Sequence, residues 1–240
     1  MNVLVLQHIA CEPPGVFEDV LLERGAALHR VELDEGESLP PSLDGIDAIV
    51  ARGGPMSVND EMEHPWLVAE KALIARAVRD GVPFWGSCLG VQLLASSLGA
   101  QVRQGPAPEV GVLPVYATPD AIVDPVFSGL AWPRPTLQWH QDTFDLPEGA
   151  TLLATSPEYP NQAFRVGRVA YGVQFHVEVD EPMADEWARV PAYIASADEV
   201  LGPGGLNRLL ADFRASMGEM QADGRVLFSR WVDLWDPSPG

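Results

Sequence analysis

Cys88 lies in Gly86-Ser87-Cys88-Leu89-Gly90, behind the apolar run Val82 to Trp85 and ahead of a helical pattern from Leu89 to Leu98. A cysteine on such a sharp strand-to-helix turn is a nucleophile elbow. Its glycines permit strained backbone angles and close approach of neighbouring segments, which a Cβ would obstruct. The helix start supplies unpaired N–H groups and the positive end of the helix dipole, which favour a thiolate and can hold an oxyanion. The competing reading is a buried, inert cysteine, and the flanking glycines weigh against it. A second motif, Tyr171-Gly172-Val173-Gln174-Phe175-His176-Val177-Glu178, is expected to end a strand with His176 and Glu178 on one side, two residues apart. A thiol nucleophile needs a base facing the sulfur and a carboxylate holding the base's other N–H, and this spacing supplies both. Alone, a His and a Glu near a strand end are often just solvated; beside the elbow they become informative.

These segments resemble a known family, the class I glutamine amidotransferases. Gly86-Ser87-Cys88-Leu89-Gly90-Val91-Gln92 and Gln174-Phe175-His176-Val177-Glu178 look like its nucleophile and His-x-Glu motifs. Arg52-Gly53-Gly54-Pro55-Met56-Ser57-Val58 looks like its Gly-Gly-Pro loop after the third strand. The resemblance runs from Val3 to Glu178. It implies a flavodoxin-like three-layer α/β sandwich and a triad of Cys88, His176 and Glu178. It also implies an oxyanion hole formed by the backbone N–H groups of Gly54 and Leu89. Substrate contacts are implied for Gly53, Gln92 and the loop carrying His140, Gln141, Asp142 and Thr143, which meets the α-amino and α-carboxylate groups largely through backbone. For Gln92, His140 and Asp142 an ordinary role in capping a loop or helix competes with direct contact. Val177 stands where many members have proline, which suggests a free-standing member rather than a biosynthetic subunit.

The implied reaction is hydrolysis of the γ-amide of glutamine through a γ-glutamyl thioester on Cys88, releasing glutamate and ammonia with no cofactor. Two alternatives stay open: a γ-glutamyl peptide hydrolase on the same scaffold, and a catalytically idle binding or regulatory subunit. Loss of Cys, His or Glu would mark the idle form, and all three are present. Nothing in the chain resembles an ATP-binding glycine-rich loop, so an ammonia acceptor would be a separate synthetase partner. An α/β-hydrolase would order its motifs nucleophile, acid, His, whereas His176 precedes Glu178. Relatives of the intracellular protease and chaperone type usually place His directly after the cysteine, where Leu89 stands.

The elements that must position these groups are legible as alternating patterns. Val3 to Leu6, His29 to Leu33, Ala48 to Ala51 and Val82 to Trp85 read as strands; Val16 to Arg24 and Trp66 to Arg79 read as helices between them. This is the signature of βαβ units and a parallel sheet. From Glu109 onward, strand-like pieces broken by Pro and Gly (Val110 to Ala117, Leu137 to His140, Leu152 to Thr155, Gln162 to Val166, Val169 to Phe175) suggest a more antiparallel half. Residues Pro182 to Trp235 return to helical patterning, broken at Gly202-Pro203-Gly204-Gly205. The division expected is an amidotransferase domain over 1–182 and a helical extension over 183–240 packed on it, serving as a cover for the sheet, a dimer contact or a docking surface.

Several residues invite competing readings. Glu70 falls on the inward stripe of its helix and would accept backbone N–H bonds around Gly53-Gly54 or the elbow, unless it sits at the stripe's edge and reaches water. Cys11 either lines the pocket or fills space as a small buried hydrophobe. Trp187, Trp231 and Trp235 look exposed on their helices and are read as core or dimer contacts. His8, His29 and His64 have no metal-ligand spacing, so no metal is expected.

Composition bounds the rest. The chain has 240 residues, 47% hydrophobic, with a formal charge of −19. A packed fold is expected. The acidic balance argues against nucleic-acid binding, which needs a basic surface, and against anionic membranes. Two cysteines, one in a catalytic setting, fit a reducing compartment better than a disulfide. The N-terminus lacks a basic n-region and no apolar run approaches spanning length, so a cytoplasmic protein is expected.

Overall fold

Four short runs dominated by aliphatic and aromatic residues become the centre of the sheet. In the computed structural model, which describes residues 1–236, the elements run β1 (Asn2–Gln7), α1 (Val16–Glu23), β2 (Ala27–Glu32), β3 (Ala48–Ala51), α2 (Trp66–Asp80), β4 (Phe84–Ser87) and α3 (Leu89–Ser97). There follow β5 (Val102–Ala117), α4 (Pro119–Val123), β6 (Arg134–Phe144), β7 (Thr151–Thr155), β8 (Ala163–Val166), β9 (Ala170–Val173), α5 (Glu181–Trp187), α6 (Pro191–Leu201) and α7 (Gly205–Asp233). The last four positions of the 183–240 stretch lie outside the described residues. The nine strands form one sheet in the order β2-β1-β3-β4-β9-β8-β7-β5-β6. Pairings from β2 through β9 are parallel, and those from β9 to β6 are antiparallel.

Period-two alternation splits the strand residues between two cores. Val3, Val50, Trp85 and Tyr171 face one side, where α1 and α7 cover them with Phe17, Leu21, Phe228 and Trp231. Leu4, Ile49, Phe84 and Ala170 face the other, covered by α2 and α3 through Leu67, Ile74, Leu89 and Leu93. The result is the three-layer, flavodoxin-like α/β architecture, and the expected antiparallel second half is present. Trp187 and Trp231 are buried, at 1% and 0% exposure, and belong to the core rather than to a surface contact.

Some boundaries differ from the sequence expectation for local reasons. β4 begins at Phe84 because the Val82 N–H bonds back to Ala77 at the end of α2 and Pro83 has no N–H. β5 begins at Val102, eight residues earlier than the Pro-rich text suggests, because a register shift between Gln104 and Glu109 lets the strand continue past Gly105 and Pro106. β9 ends at Val173, so the His176 motif lies beyond the regular strand, joined to β6 only by an isolated bridge to Leu137.

Helix α7 also reaches the chemistry. A Cβ on Gly224 would stand 2.5 Å from the Val177 carbonyl oxygen, so only glycine lets the helix pass this close to the peptide between His176 and Glu178. The Gln221 amide donates to the Val179 carbonyl at 3.0 Å, fixing the same segment from the next turn.

Candidate active site

Cys88 joins the last residue of β4 to the first of α3 with φ 54° and ψ −109°, the one positive φ of a non-glycine residue among the described residues. Such a conformation costs on the order of 1–3 kcal/mol and persists only where its surroundings over-determine it. They do: the Cys88 N–H donates to Val173 O at 2.9 Å. A Cβ at Gly90 would lie 2.3 Å from Ala51 O, and one at Gly86 2.4 Å from Gly90 O, so β3, β4 and α3 close on one another only through these glycines. Cys88 itself is 6% exposed.

His176 is held on both flanks of its backbone by Leu137, donating to it at 2.8 Å and accepting from it at 3.1 Å. This bridge replaces the expected strand extension, and it still sets His176 and Glu178 side by side. The His176 Nδ1–H donates to Glu178 Oε1 at 2.8 Å. Glu178 Oε1 also accepts from Arg52 Nη2 at 2.6 Å, and its Oε2 accepts the Val177 N–H at 2.9 Å. All three side chains are buried. Burial alone would pull the imidazole's pKa down, but the Glu178 charge and the Cys88 sulfur outweigh it and push His176 up to about 10. Burial would push Glu178 up, but Arg52 and His176 outweigh it and hold the carboxyl well below its usual range. In the sequence Arg52 stands only as the first residue of the Gly-Gly-Pro segment, with no role attached. A charged residue closing the otherwise apolar β3 is the sequence signal that it must face a buried partner.

The Gly53-Gly54 loop approaches the elbow from β3. A Cβ at Gly54 would stand 3.2 Å from Leu89 Cδ2 and 3.0 Å from His8 Cβ, so the two backbone segments expected to supply N–H donors are neighbours. The Leu89 N–H, at the first turn of α3, has no intrahelical acceptor. Glu70 is fully buried, which removes the water-facing alternative, but its partner is not the backbone N–H expected. Its Oε1 accepts from His8 Nε2 at 2.9 Å, and His8 Nδ1 meets the Gly53 carbonyl at 3.1 Å. Two acceptors on one ring require both nitrogens to carry protons. Burial opposes that charge, and Glu70 and the Gly53 carbonyl overcome it, raising the His8 pKa; Trp66 stacks on the ring at 5.5 Å. Glu70 thus props the loop through a histidine contributed by the end of β1.

Cys88, His176 and Gly54 open onto a cavity of about 370 Å³ at the carboxyl ends of the parallel strands. Gln92, His140, Gln141 and Asp142 line it; Gly53, Leu89 and Thr143 are outside its wall. The Gln92 amide donates to Gln174 Oε1 at 3.0 Å, and His140 uses both ring nitrogens, on Asp142 O at 3.1 Å and Glu109 Oε2 at 3.0 Å. These side chains shape the loop. Ser57 donates to Asp142 Oδ2 at 2.7 Å, tying that loop to the Gly-Gly-Pro segment. Trp139, from the loop expected to meet the substrate, also lines the cavity, while sequence reasoning missed Glu12, Trp187 and Tyr193 in the wall, which come together only through folding. Cys11 is buried, burial pushes its thiol up to about 12, and it lies outside this wall. A larger cleft of about 730 Å³ at the opposite ends of the strands, against Met1, Val82 and Val169, carries no cysteine or histidine. Among the described residues no helix is long and apolar enough to cross a membrane.

The family model described as glutamine amidotransferase class-I matches residues 17–186. A glutamine amidotransferase-like protein, YfeJ, of Salmonella typhimurium is 34% identical over 181 residues, covering 74% of this chain and 76% of that one. A glutamine-hydrolyzing GMP synthase of Porphyromonas gingivalis is 33% identical over 59% of this chain, which spans about a quarter (26%) of the synthase. Among solved structures, a glutamine amidotransferase from Thermotoga maritima superposes with a TM-score of 0.85 at 32% identity, over 97% of this chain and 98% of that one. Another, from Methylobacillus flagellatus, gives 0.86 at 27% identity over 100% and 97%.

Proposed function

The chain belongs to the class I glutamine amidotransferase family, and from that premise we propose that it hydrolyses the γ-amide of glutamine or of a related γ-glutamyl compound through a thioester on Cys88. The observation that carries the reading is the strained Cys88 opening onto the same cavity as an imidazole that Glu178 and Arg52 orient. An imidazole raised to about 10 is a strong enough base to draw the proton from the thiol. The sulfur then attacks the γ-carbonyl, and the N–H groups of Gly54 and Leu89 receive the oxyanion. The C–N bond breaks as His176 returns its proton to the departing nitrogen. Water, deprotonated by His176, attacks the thioester and releases glutamate and the Cys88 thiol. Gly53, Gln92 and the 140–143 loop orient the glutamyl moiety in this scheme. Ammonia from glutamine would pass to a separate synthetase or to solvent.

Replacing Cys88 with Ala is expected to abolish ammonia release from glutamine and glutamate release from γ-glutamyl amides, with an unchanged melting temperature. A diazoketone analogue of glutamine is expected to add one equivalent of mass at Cys88 in the parent chain. Hydrolysis retained by the purified Cys88→Ala variant would reject the assignment.

A further inference from the structure

Helix α2 reaches the Gly53-Gly54 loop through a single ring. Trp66 stacks on the face of His8 at 5.5 Å and 21°, and Glu70, four residues on and so on the same side of the helix, accepts from His8 Nε2 at 2.9 Å. The other ring nitrogen, Nδ1, donates to the Gly53 carbonyl at 3.1 Å. His8 and Glu70 are both fully buried. Glu70 Oε2 has no partner among the described residues, so the charge on His8 is what compensates the buried carboxylate.

A trans peptide points its C=O and its N–H in opposite directions. Fixing the Gly53 oxygen on His8 therefore aims the Gly54 N–H away from that ring. Gly54 lines the cavity with Cys88, and His8 is outside the wall, so the direction left to this N–H is the cavity side. The loop has no side chain of its own to set the plane. A Cβ at Gly53 would meet Glu12 Oε2 at 1.9 Å, and one at Gly54 would meet Met56 Sδ at 2.6 Å. Two glycines in a row leave the peptide between them free to rotate unless a neighbour holds it. The Arg52 N–H, on Leu6 O at 3.0 Å, anchors the chain one residue earlier, and His8 supplies the hold beyond it.

Resting on the thioester reading above, we propose that His8 is a positioning residue for that reaction: as an imidazolium paired with Glu70, it fixes the Gly53–Gly54 peptide so that the Gly54 N–H meets the oxyanion. A neutral ring that kept its proton on the Glu70 side would set an Nδ1 lone pair against the Gly53 oxygen, and the contact would repel. Glu70 and Glu12 are the carboxylates whose charge keeps the ring protonated against burial. Because His8 lies outside the cavity wall, its effect is confined to steps that build charge on the γ-carbonyl oxygen.

The test separates attack on a carbonyl from reactivity of the thiol. Asparagine carries its amide nitrogen at the branch position of Nδ1 and glutamine one bond further, near Nε2, so His8→Asn keeps a donor for the Gly53 carbonyl and His8→Gln keeps only the contact to Glu70. In His8→Gln, kcat for glutamine or a γ-glutamyl amide is expected to fall about 10- to 100-fold, less than the loss of an oxyanion donor outright, with KM within about twofold. His8→Asn is expected to recover most of this, to within about fivefold of the parent. Alkylation of Cys88 by iodoacetamide, which forms no oxyanion, is expected to proceed within about twofold of the parent rate in both variants. Equal kcat losses in the two variants, a rise in KM with kcat unchanged, or alkylation that falls in step with kcat would overturn the inference while leaving γ-glutamyl hydrolysis standing. Should neither variant fold, nitrogen NMR of the His8 ring in the parent chain decides: both nitrogens are expected to carry protons at pH 8, and an unprotonated Nδ1 overturns the inference. A parent chain that turns over neither glutamine nor any γ-glutamyl amide overturns the thioester reading and this one together.

Discussion

Arg52 brings a full charge into a place with no exposed surface, and Glu178 answers it at 2.6 Å. A buried ion pair of this kind is weak evidence for net stability, but removing one partner leaves the other uncompensated. Arg52→Leu is therefore expected to destabilise the fold by about 3–5 kcal/mol in urea titrations; a loss below 1 kcal/mol would mean that water reaches Glu178. His176 and Glu178 shift in opposite directions, which sets a pH window. Glu178 is held below the ordinary 4.5, so its contribution is full above that value and is lost as pH falls. His176 is raised from 6.5 to about 10, so its contribution is full below 6.5 and fades as pH rises through about 10. The stability advantage of the parent over His176→Gln is thus expected to be greatest near pH 5–6 and to shrink toward pH 10. An advantage that grows with pH would contradict the charge state drawn from the site. The strained turn at Cys88 and the pairing of His176 with Glu178 were legible in the sequence because both belong to local motifs. Arg52, His8 and Glu12 act through partners 126, 62 and 181 residues away, and no local spacing encodes such pairs.

At the scale of elements, helix α3 sits on β3 through a contact with no room for a side chain. Gly90→Ala puts a methyl 2.3 Å from a backbone oxygen of Ala51, which cannot rotate away. The expected cost is about 1–3 kcal/mol from overpacking, with loss of turnover as Cys88 is displaced, measured by urea midpoint and amide hydrolysis. A change of a few tenths in stability with normal turnover would show that the elbow tolerates movement. Helices α1, α2 and α3 and strand β3 could be read within about one residue because the apolar pattern there is strong and local. β5 and the end of β9 could not. Pro106 and Pro108 look like breakers, although the bulge accommodates them, and the Val173 to Phe175 text stays apolar after the ladder has stopped. What ends β9 is pairing to Leu137 in a distant strand.

At the scale of the molecule, α7 closes the layer over β1, β4 and β9. Phe228 stacks on Phe17 at 4.4 Å and meets Trp85 edge-on at 5.4 Å, while Arg225 pairs with Glu23 and Arg24 with Asp233 across the same seam. We infer from this that 1–182 and the helices after it fold as one unit. A chain stopped at Pro182 is expected to lose its cooperative thermal transition and to bind a hydrophobic dye, because Phe17 and Trp85 lose their cover; a sharp melt near the parent temperature would make the helices an appendage. The Arg52–Glu178 pair, finally, joins the two ends of the motif-bearing stretch into something inherited as a unit. Either change made alone strands a buried charge, so a lineage can abandon the pair only by passing through a sharply weakened intermediate or by altering both codons together. Arg52 and Glu178 should accordingly vary in step across descendants of this chain.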